Sequence, residues 1–225
     1  MSTDLAVYIL SKTSGNYNES MREFIVLGHT TTLSTNFTLD DLPGSAGRLD
    51  VLCRCVTSAF FTSHSLRSHV RLHFVLQNEY VIRFEGPELK RVNPDERSTG
   101  ALFQKVLERR HLADRKGEIE STPGIYISPG TLGDVLENAQ TRGSLIWLDE
   151  QGNDLPDMQT PEHPIFVLSD HKPFNDDERE KLEQSADHHV SVGPEALHSH
   201  QCMTITHHYL DTNGYRRWSS DRGPE

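Results

Sequence analysis

A strand–helix–strand pattern near the C-terminal end of the chain constrains the fold more than any other feature of the sequence. Residues 165–168 are a continuous apolar run, residues 175–184 have the composition of a charged surface helix, and residues 189–192 form a second short strand. After a short loop, residues 204–210 are predicted to form a final helix that is rich in β-branched side chains. Two buried strands joined by a helix indicate an α/β sheet.

The residues that end these strands predict a ligand site. Apolar strands that give way to small, loop-forming residues are where open α/β sheets bind ligands, because backbone groups are left free there. Leu168 ends the first strand, Gly193 and Pro194 end the second, and Cys202 follows in the next segment. We therefore expect a ligand to lie across Leu168, Gly193 and Cys202.

The same alternation of strands and helices runs through most of the chain. Further strands are predicted at residues 24–27, 70–76, 80–84, 125–127 and 145–148, and further helices at residues 49–60, 98–107 and 131–139. The strand at 80–84 is expected to be the hairpin partner of the one at 70–76. Residues 108–120 are interpreted as a charged surface segment and residues 149–164 as an acidic, solvated loop. The whole predicts a mostly parallel α/β sheet with helices on both faces.

The length of 225 residues is sufficient for one domain with a sizeable core. Residues 21–214 are predicted to be this domain, residues 1–20 a poorly ordered polar extension, and residues 215–225 a flexible tail. No apolar run has transmembrane length and the first residues lack a signal-peptide pattern, so we expect a soluble, cytoplasmic protein with no membrane partner. Three cysteines in such a chain argue against a disulfide framework.

The charge is unevenly distributed. The formal net charge is −11, but residues 21–110 carry a net charge of +2 and residues 111–225 a net charge of −12. Because Lys and Arg make the phosphate contacts of nucleic-acid-binding proteins, an RNA-binding surface is expected in the N-terminal half. The alternative is ordinary variation of charge along a solvated acidic surface.

Several sequence blocks follow one another in a fixed order along the chain. Near the C-terminal end they are Phe166-Val167-Leu168-Ser169-Asp170-His171, Ser191-Val192-Gly193-Pro194 with Leu197, His198-x-His200-x-Cys202, and His208-Tyr209-Leu210-Asp211. Upstream, further blocks lie at residues 21–27, 40–44, 83–89 and 93–98. Together these blocks resemble those of the SPOUT methyltransferases, most closely the TrmY subfamily of tRNA pseudouridine N1-methyltransferases. The resemblance covers about residues 21–214.

The resemblance implies several properties that the residue pattern alone does not give. It implies a C-terminal deep trefoil knot, a rare feature in protein folds, and a homodimer whose substrate site is built across the interface. It implies S-adenosylmethionine (SAM) as cofactor, tRNA as partner, and N1-methylation of pseudouridine, at position 54 of the T-loop if the protein is of the archaeal type. A bacterial-type enzyme with another RNA substrate is the alternative. The implied cofactor-binding residues are Leu168, Ser169, Gly193, Pro194, Leu197 and Cys202.

Methyl transfer from a sulfonium requires mainly positioning and a nucleophile with an available lone pair, and no metal. N1 of pseudouridine must lose its proton as it is methylated, and the candidate for accepting that proton or orienting the base is Asp95. Arg97 is assigned a catalytic role beside it, by holding phosphate or stabilising negative charge on the pyrimidine oxygens. Arg22, Arg83 and Arg91 are the candidate RNA-binding residues. The alternative reading of Asp95 is an acidic residue that favours the dipole of the following helix.

Two other functions compete with this interpretation. In an extended segment, His198, His200 and Cys202 would lie on one face and could ligate zinc in a hydrolase or nuclease, although their spacing matches no standard zinc pattern. A non-catalytic RNA-binding module that keeps the knot is the other alternative.

Overall fold

The computed structural model describes residues 21–214, which form one eight-stranded sheet with helices on both faces. The predicted extension at residues 1–20 and tail at residues 215–225 lie outside the described residues. The strands are β1 (Arg22–Gly28), β2 (Val70–Leu76), β3 (Tyr80–Glu85), β4 (Ile119–Thr122), β5 (Ile125–Pro129), β6 (Ser144–Asp154), β7 (Pro164–Ser169) and β8 (His188–Ser191). The helices are α1 (Leu42–Ser45), α2 (Leu49–Phe60), α3 (Glu96–Leu107), α4 (Arg110–Lys116), α5 (Leu132–Gln140), α6 (Asp176–Ser185) and α7 (Ser199–Asp211), with 3-10 turns at Gly86–Glu88 and Leu155–Asp157.

The sheet is mixed, with the order β4-β5-β3-β2-β1-β7-β6-β8. The pairings of β1 with β2 and β7, and of β6 with β7 and β8, are parallel. The pairings of β2 with β3, β3 with β5, and β5 with β4 are antiparallel. The expectation of a mostly parallel sheet therefore holds for one half only. In the other half the short connections between β2 and β3 and between β4 and β5 allow only hairpins, because a parallel crossover needs a dozen residues or more.

Apolar side chains on both faces of the central strands divide the core into two layers. Phe24 and Val26 of β1 point to the layer covered by α2, α3 and α7, whereas Ile25 and Leu27 point to the layer covered by α5 and α6. A strand buried on both faces reads as a continuous apolar run, which is why β1 and β7 were predicted correctly. None of the helices within residues 21–214 has the length and hydrophobicity of a membrane span.

Three segments differ from the sequence-based prediction. Residues 108–120 contain α4 and the start of β4 instead of an irregular surface segment. Within residues 149–164, β6 continues to Asp154, where Asn153 and Asp154 pair with the strand β8 beyond a register shift. The final helix begins at Ser199, five residues before the predicted start at 204. In each case polar residues hide the periodicity, since tertiary contacts stabilise segments that have a weak local preference.

Candidate functional site

A cavity of about 290 Å³ lies where β6, β7 and β8 end. Because these strands are parallel, their carboxyl ends meet at one edge of the sheet. Five of the six residues predicted to bind the cofactor line the cavity, namely Leu168, Ser169, Gly193, Leu197 and Cys202. Pro194 does not line it, although its neighbour Gly193 does. The structure therefore brings together most of the set that the sequence predicted.

Hydrogen bonds from two serines fix the loops around the cavity. The Ser199 hydroxyl, in the first turn of α7, donates to the carbonyl oxygen of Ser169 at 2.5 Å. The Ser191 hydroxyl donates to the carbonyl oxygen of Gly193 at 2.7 Å. These bonds hold the end of β7 and the loop after β8 in place, so that both loops present ordered backbone to a ligand.

Gly193 is not in a left-handed conformation, and an added Cβ would meet no heavy atom within 4 Å. A requirement for positive φ therefore does not explain this glycine. Open space at this position, on the cavity wall, is compatible with close approach of a ligand to the backbone.

Acidic, basic and apolar residues all line the cavity. Asp149, Glu150, Asp170 and Glu195 all line it, together with the cations Lys172 and Arg179. Asp149 accepts a hydrogen bond from the backbone N–H of Gln151 at 2.9 Å, and its other oxygen lies 3.4 Å from Arg179. Sequence reasoning missed Asp149 because it assigned residues 149–164 to a solvated loop. The signal that could have found it was its position directly after the apolar run 145–148, at a strand end of the same sheet.

Cys202 contributes a neutral thiol to this cavity. Burial raises the pKa of Cys202 to about 11, so the thiol form predominates at neutral pH. Its Sγ lies 3.8 Å from the carbonyl oxygen of Leu197. A protonated, half-buried thiol behaves as a small apolar group, which suits the wall of a pocket for an aromatic ring.

The zinc interpretation assumed that residues 198–202 are extended, and this is wrong because helix α7 begins at Ser199. His200 and Cys202 lie in the first turns of α7, where residues two positions apart point about 200° away from each other. The rings of His198 and His200 stack with their centroids 5.7 Å apart. Within residues 21–214 no group of three or more His, Cys, Asp or Glu side chains is arranged to hold a metal ion.

Asp95 caps helix α3 and is exposed. Its Oδ1 accepts a hydrogen bond from the backbone N–H of Ser98 at 2.8 Å. This bond to the backbone of Ser98 lowers the pKa of Asp95. Asp95 therefore does stabilise the start of α3, as the alternative interpretation predicted. This capping bond uses only Oδ1, so the second carboxylate oxygen is available to a substrate.

Arg97 and Arg91 flank Asp95 and face solvent. The side chain of Arg97 is 62% exposed and pairs with Asp40 of the long loop after β1. Arg91 is exposed and has a φ of 59° in the loop before α3. Both guanidinium groups are therefore placed to reach a ligand at the surface.

A chain of ion pairs links the start of α3 to the cavity side of the molecule. Glu96 pairs with Arg54 at 3.1 Å, Arg54 with Asp50 at 2.7 Å, and Asp50 with Arg48 at 3.0 Å. Both ends of this chain of ion pairs also interact with residues near the cavity. Burial, and then the charge of Arg54, lowers the pKa of His200 in α7. The carboxylates of Asp50 and Asp170 raise the pKa of Arg48. The loop that carries Asp95 thus lies on the side of the molecule where α7 begins.

Arg22 and Arg83 are engaged within the chain. Arg22 pairs with Asp211 at 2.7 Å, and its side chain is 11% exposed. It begins β1, so it lies about 20 Å along the strands from the edge that carries the cavity. Arg83 pairs with Glu85 at 2.6 Å and Glu118 at 2.8 Å. The structure does not bring these two arginines together with Asp95 or with the cavity.

Comparison with known proteins extends over nearly all the described residues. A family model described as putative SAM-dependent RNA methyltransferase matches residues 21–215. A tRNA (pseudouridine(54)-N(1))-methyltransferase of Haloferax volcanii is 50% identical over 198 residues, which are 88% of this chain and 100% of that protein. A protein of the same name from Methanosarcina acetivorans is 41% identical, over 85% of this chain and 91% of its own. The fold is similar to that of Archaeoglobus fulgidus Nep1 bound to S-adenosylhomocysteine, with a TM-score of 0.53, 14% identity, and coverage of 88% of this chain and 97% of that one.

Proposed function

Because this chain belongs to the family of putative SAM-dependent RNA methyltransferases, we propose that it transfers the methyl group of SAM to N1 of pseudouridine 54 in tRNA. The observation that carries the proposal is the convergence of Leu168, Gly193 and Cys202 on one cavity at the ends of parallel strands. These are the three positions at which the sequence predicts a ligand.

The residues that line the cavity fit SAM in polarity and charge. Leu168, Leu197 and the neutral thiol of Cys202 supply apolar surface for the adenine ring, and the open space at Gly193 lets backbone groups approach it. Carboxylates such as Asp149 supply negative charge for a cationic cofactor. When bound, SAM supplies an electrophilic methyl group on a positively charged sulfur.

Asp95 is proposed to hold the pyrimidine and accept the proton that leaves N1. Its capping bond to Ser98 occupies one oxygen and fixes the carboxylate in direction. A carboxylate with a lowered pKa is a weak base in the ground state, but N1 becomes a much stronger acid as the new N–C bond forms. Arg97 is proposed to stabilise the negative charge that develops on the pyrimidine oxygens. Arg91 is proposed to contact the RNA backbone.

We further propose the assembly and topology that the family resemblance implies. Residues 21–214 would act as a single domain with a C-terminal trefoil knot, as a homodimer in which Asp95 of one protomer serves the cofactor cavity of the other. A tRNA substrate would place the protein in the cytoplasm. Analytical ultracentrifugation of the full chain tests the dimer.

The activity is tested with purified protein, methyl-labelled SAM and two T-arm RNAs that differ only in having pseudouridine or uridine at position 54. We expect label in the pseudouridine RNA alone, and mass spectrometry of the digested product should show N1-methylpseudouridine. Binding of both RNAs without methylation would instead support a non-catalytic RNA-binding module. Methylation of a different pseudouridine-containing RNA would support the alternative substrate.

A further inference from the structure

His29 is held between two carboxylates next to the cofactor cavity. Its Nδ1 lies 2.9 Å from Oδ1 of Asp170, and its Nε2 lies 3.0 Å from Oε2 of Glu178. Its backbone N–H also donates to Oδ2 of Asp170 at 2.9 Å. The side chains of the three residues are 15%, 1% and 14% exposed. Since both ring nitrogens face carboxylate oxygens, both must donate, which requires the imidazolium form.

The two carboxylates belong to segments that build the cavity wall. Asp170 directly follows β7, and its carboxylate also accepts the backbone N–H of Lys172 at 2.9 Å. Glu178 lies in the first turn of α6, and its Oε2 also accepts the backbone N–H of Asn175, which caps that helix. His29 therefore connects the end of β1 to both ends of the segment 170–178, which includes the lining residues Asp170 to Phe174.

The charged surroundings of His29 favour its protonation. The hydrogen bond to Asp170 raises the pKa of His29, burial opposes this, and Glu178 raises it further. His171 lies 3.4 Å from the other oxygen of Asp170. Asp177 and Lys181 of α6 line the neighbouring surface pocket with His29, and Arg48 lies within electrostatic range of Asp170. Two carboxylates in direct contact outweigh the more distant cations.

We propose that His29 is a positioning residue for the binding of SAM. As an imidazolium, His29 bridges Asp170 and Glu178 and so holds the cavity wall in its binding conformation. The proposal rests on the proposed function, because it takes SAM as the ligand of this cavity. No atom of His29 lines the cavity, so its effect is transmitted through the segment 170–178. The Asp170 carboxylate is engaged by His29 and by the Lys172 N–H, so it organises the loop instead of contacting the ligand.

The test measures the Kd for SAM by calorimetry across pH for the full-length wild type, His29→Gln and Glu178→Gln. A neutral glutamine cannot bridge both carboxylates, so His29→Gln should raise the Kd near neutral pH about tenfold, which corresponds to about 1.4 kcal/mol. At saturating SAM its kcat should stay close to that of the wild type. In the wild type His29 is protonated at low pH and donates to both carboxylates. The Kd for SAM should therefore rise as the pH increases through the raised pKa of His29. This inflection should be missing in His29→Gln.

Glu178→Gln separates charge from structure. Glutamine at this position can still accept the N–H of Asn175 and keep the helix start. It removes one negative charge from His29, so the inflection in Kd should move to lower pH while the melting temperature changes little. An exposed histidine, in the variant His64→Gln, is the matched control and should leave the Kd curve unchanged.

Two outcomes would overturn the inference. One is a His29→Gln protein that is folded and binds SAM as the wild type does at every pH. The other is a Glu178→Gln protein whose inflection does not move. If the wild type shows the expected binding curve but methylates no RNA, the proposed function fails and the role of His29 in SAM binding stands.

Discussion

Arg22 and Asp211 form an ion pair, with Nη1 2.7 Å from Oδ1, although 189 positions separate them in the sequence. Arg67 binds the other oxygen of the same carboxylate at 2.7 Å. The pair fastens the first residue of β1 to the last residue of α7. Arg22 also lies 3.1 Å from Nδ1 of the buried His207. Helix α7, which begins at the cavity, is thus held at its far end by this ion pair.

Asp211→Asn should destabilise the protein because it removes the carboxylate charge that Arg22 and Arg67 share. Since the carboxylate is partly exposed, we expect a loss of about 1.5 kcal/mol in the free energy of unfolding. Urea denaturation at neutral pH measures it. The exposed Asp157→Asn is the control and should stay within about 0.5 kcal/mol of the wild type. Equal stability of the two variants would contradict a stabilising role for the pair.

Glu23 should account for much of the loss of stability in acid. Burial alone would raise the pKa of Glu23, but the hydrogen bond with His73 and the charges of Arg142 and Arg71 outweigh it and lower the pKa from 4.5 to about 2. A lowered carboxyl pKa stabilises the folded state above about pH 4.5, and this is lost as the pH falls towards 2.

Glu23→Gln should therefore be less stable by about 3 kcal/mol at pH 7, with the difference from the wild type shrinking between pH 4.5 and 2. Denaturant unfolding at several pH values measures this. The control is Glu137→Gln, at an exposed position, whose free energy of unfolding should change with pH in the same way as that of the wild type. A constant difference between Glu23→Gln and the wild type across that range would show that the charge of Glu23 is not responsible.

Asp95→Asn and Asp95→Ala separate capping from catalysis. Asparagine keeps an oxygen for the N–H of Ser98, so Asp95→Asn should have nearly the wild-type melting temperature and Asp95→Ala a lower one. Both should lose about a hundredfold or more in kcat if the carboxylate takes the proton from N1. The Kd for SAM should change little in either. Wild-type turnover by Asp95→Asn would remove Asp95 from the mechanism.

Cys202 should react slowly with iodoacetamide at neutral pH. With a pKa of about 11, its thiolate is about a hundredfold rarer than that of a free thiol. Peptide mass spectrometry should find labelling of Cys202 that SAM slows further. Cys53 and Cys55 are fully buried and should be labelled only after unfolding. Labelling of Cys202 that is indifferent to SAM would argue against its place in the cofactor site.

Arg91→Gln should weaken tRNA binding by a sequence-independent electrostatic effect. Loss of one phosphate contact should reduce the slope of log K against log salt by about 1. Fluorescence anisotropy at several salt concentrations measures the slope. Arg83→Gln is the comparison. Because Arg83 forms ion pairs with Glu85 and Glu118, this substitution should lower the stability of the protein more than it changes the salt slope. The reverse order of effects would assign the RNA contact to Arg83.

The periodicity of apolar residues predicted most elements to within a few residues, including β1, α2 and β7. The strand ends that it located, together with the motif blocks around Leu168 and Gly193, predicted the cavity. These predictions succeeded because burial imposes a local pattern that can be read within one segment. They failed where polar residues carry regular structure, as in α4 and the early turns of α7, because tertiary packing decides there.

Tertiary structure alone decided which charged residues are engaged with each other. Arg22, Arg91 and Arg97 look equivalent in the sequence, yet the side chain of Arg22 is nearly buried in its pair with Asp211, whereas Arg91 is exposed and the pair of Arg97 with Asp40 faces solvent. His29 and Asp170, 141 positions apart, meet only because β1 and β7 pair in parallel. A local pattern records whether a residue is buried, but not which distant partner neutralises its charge, because that depends on how the strands are ordered in the sheet.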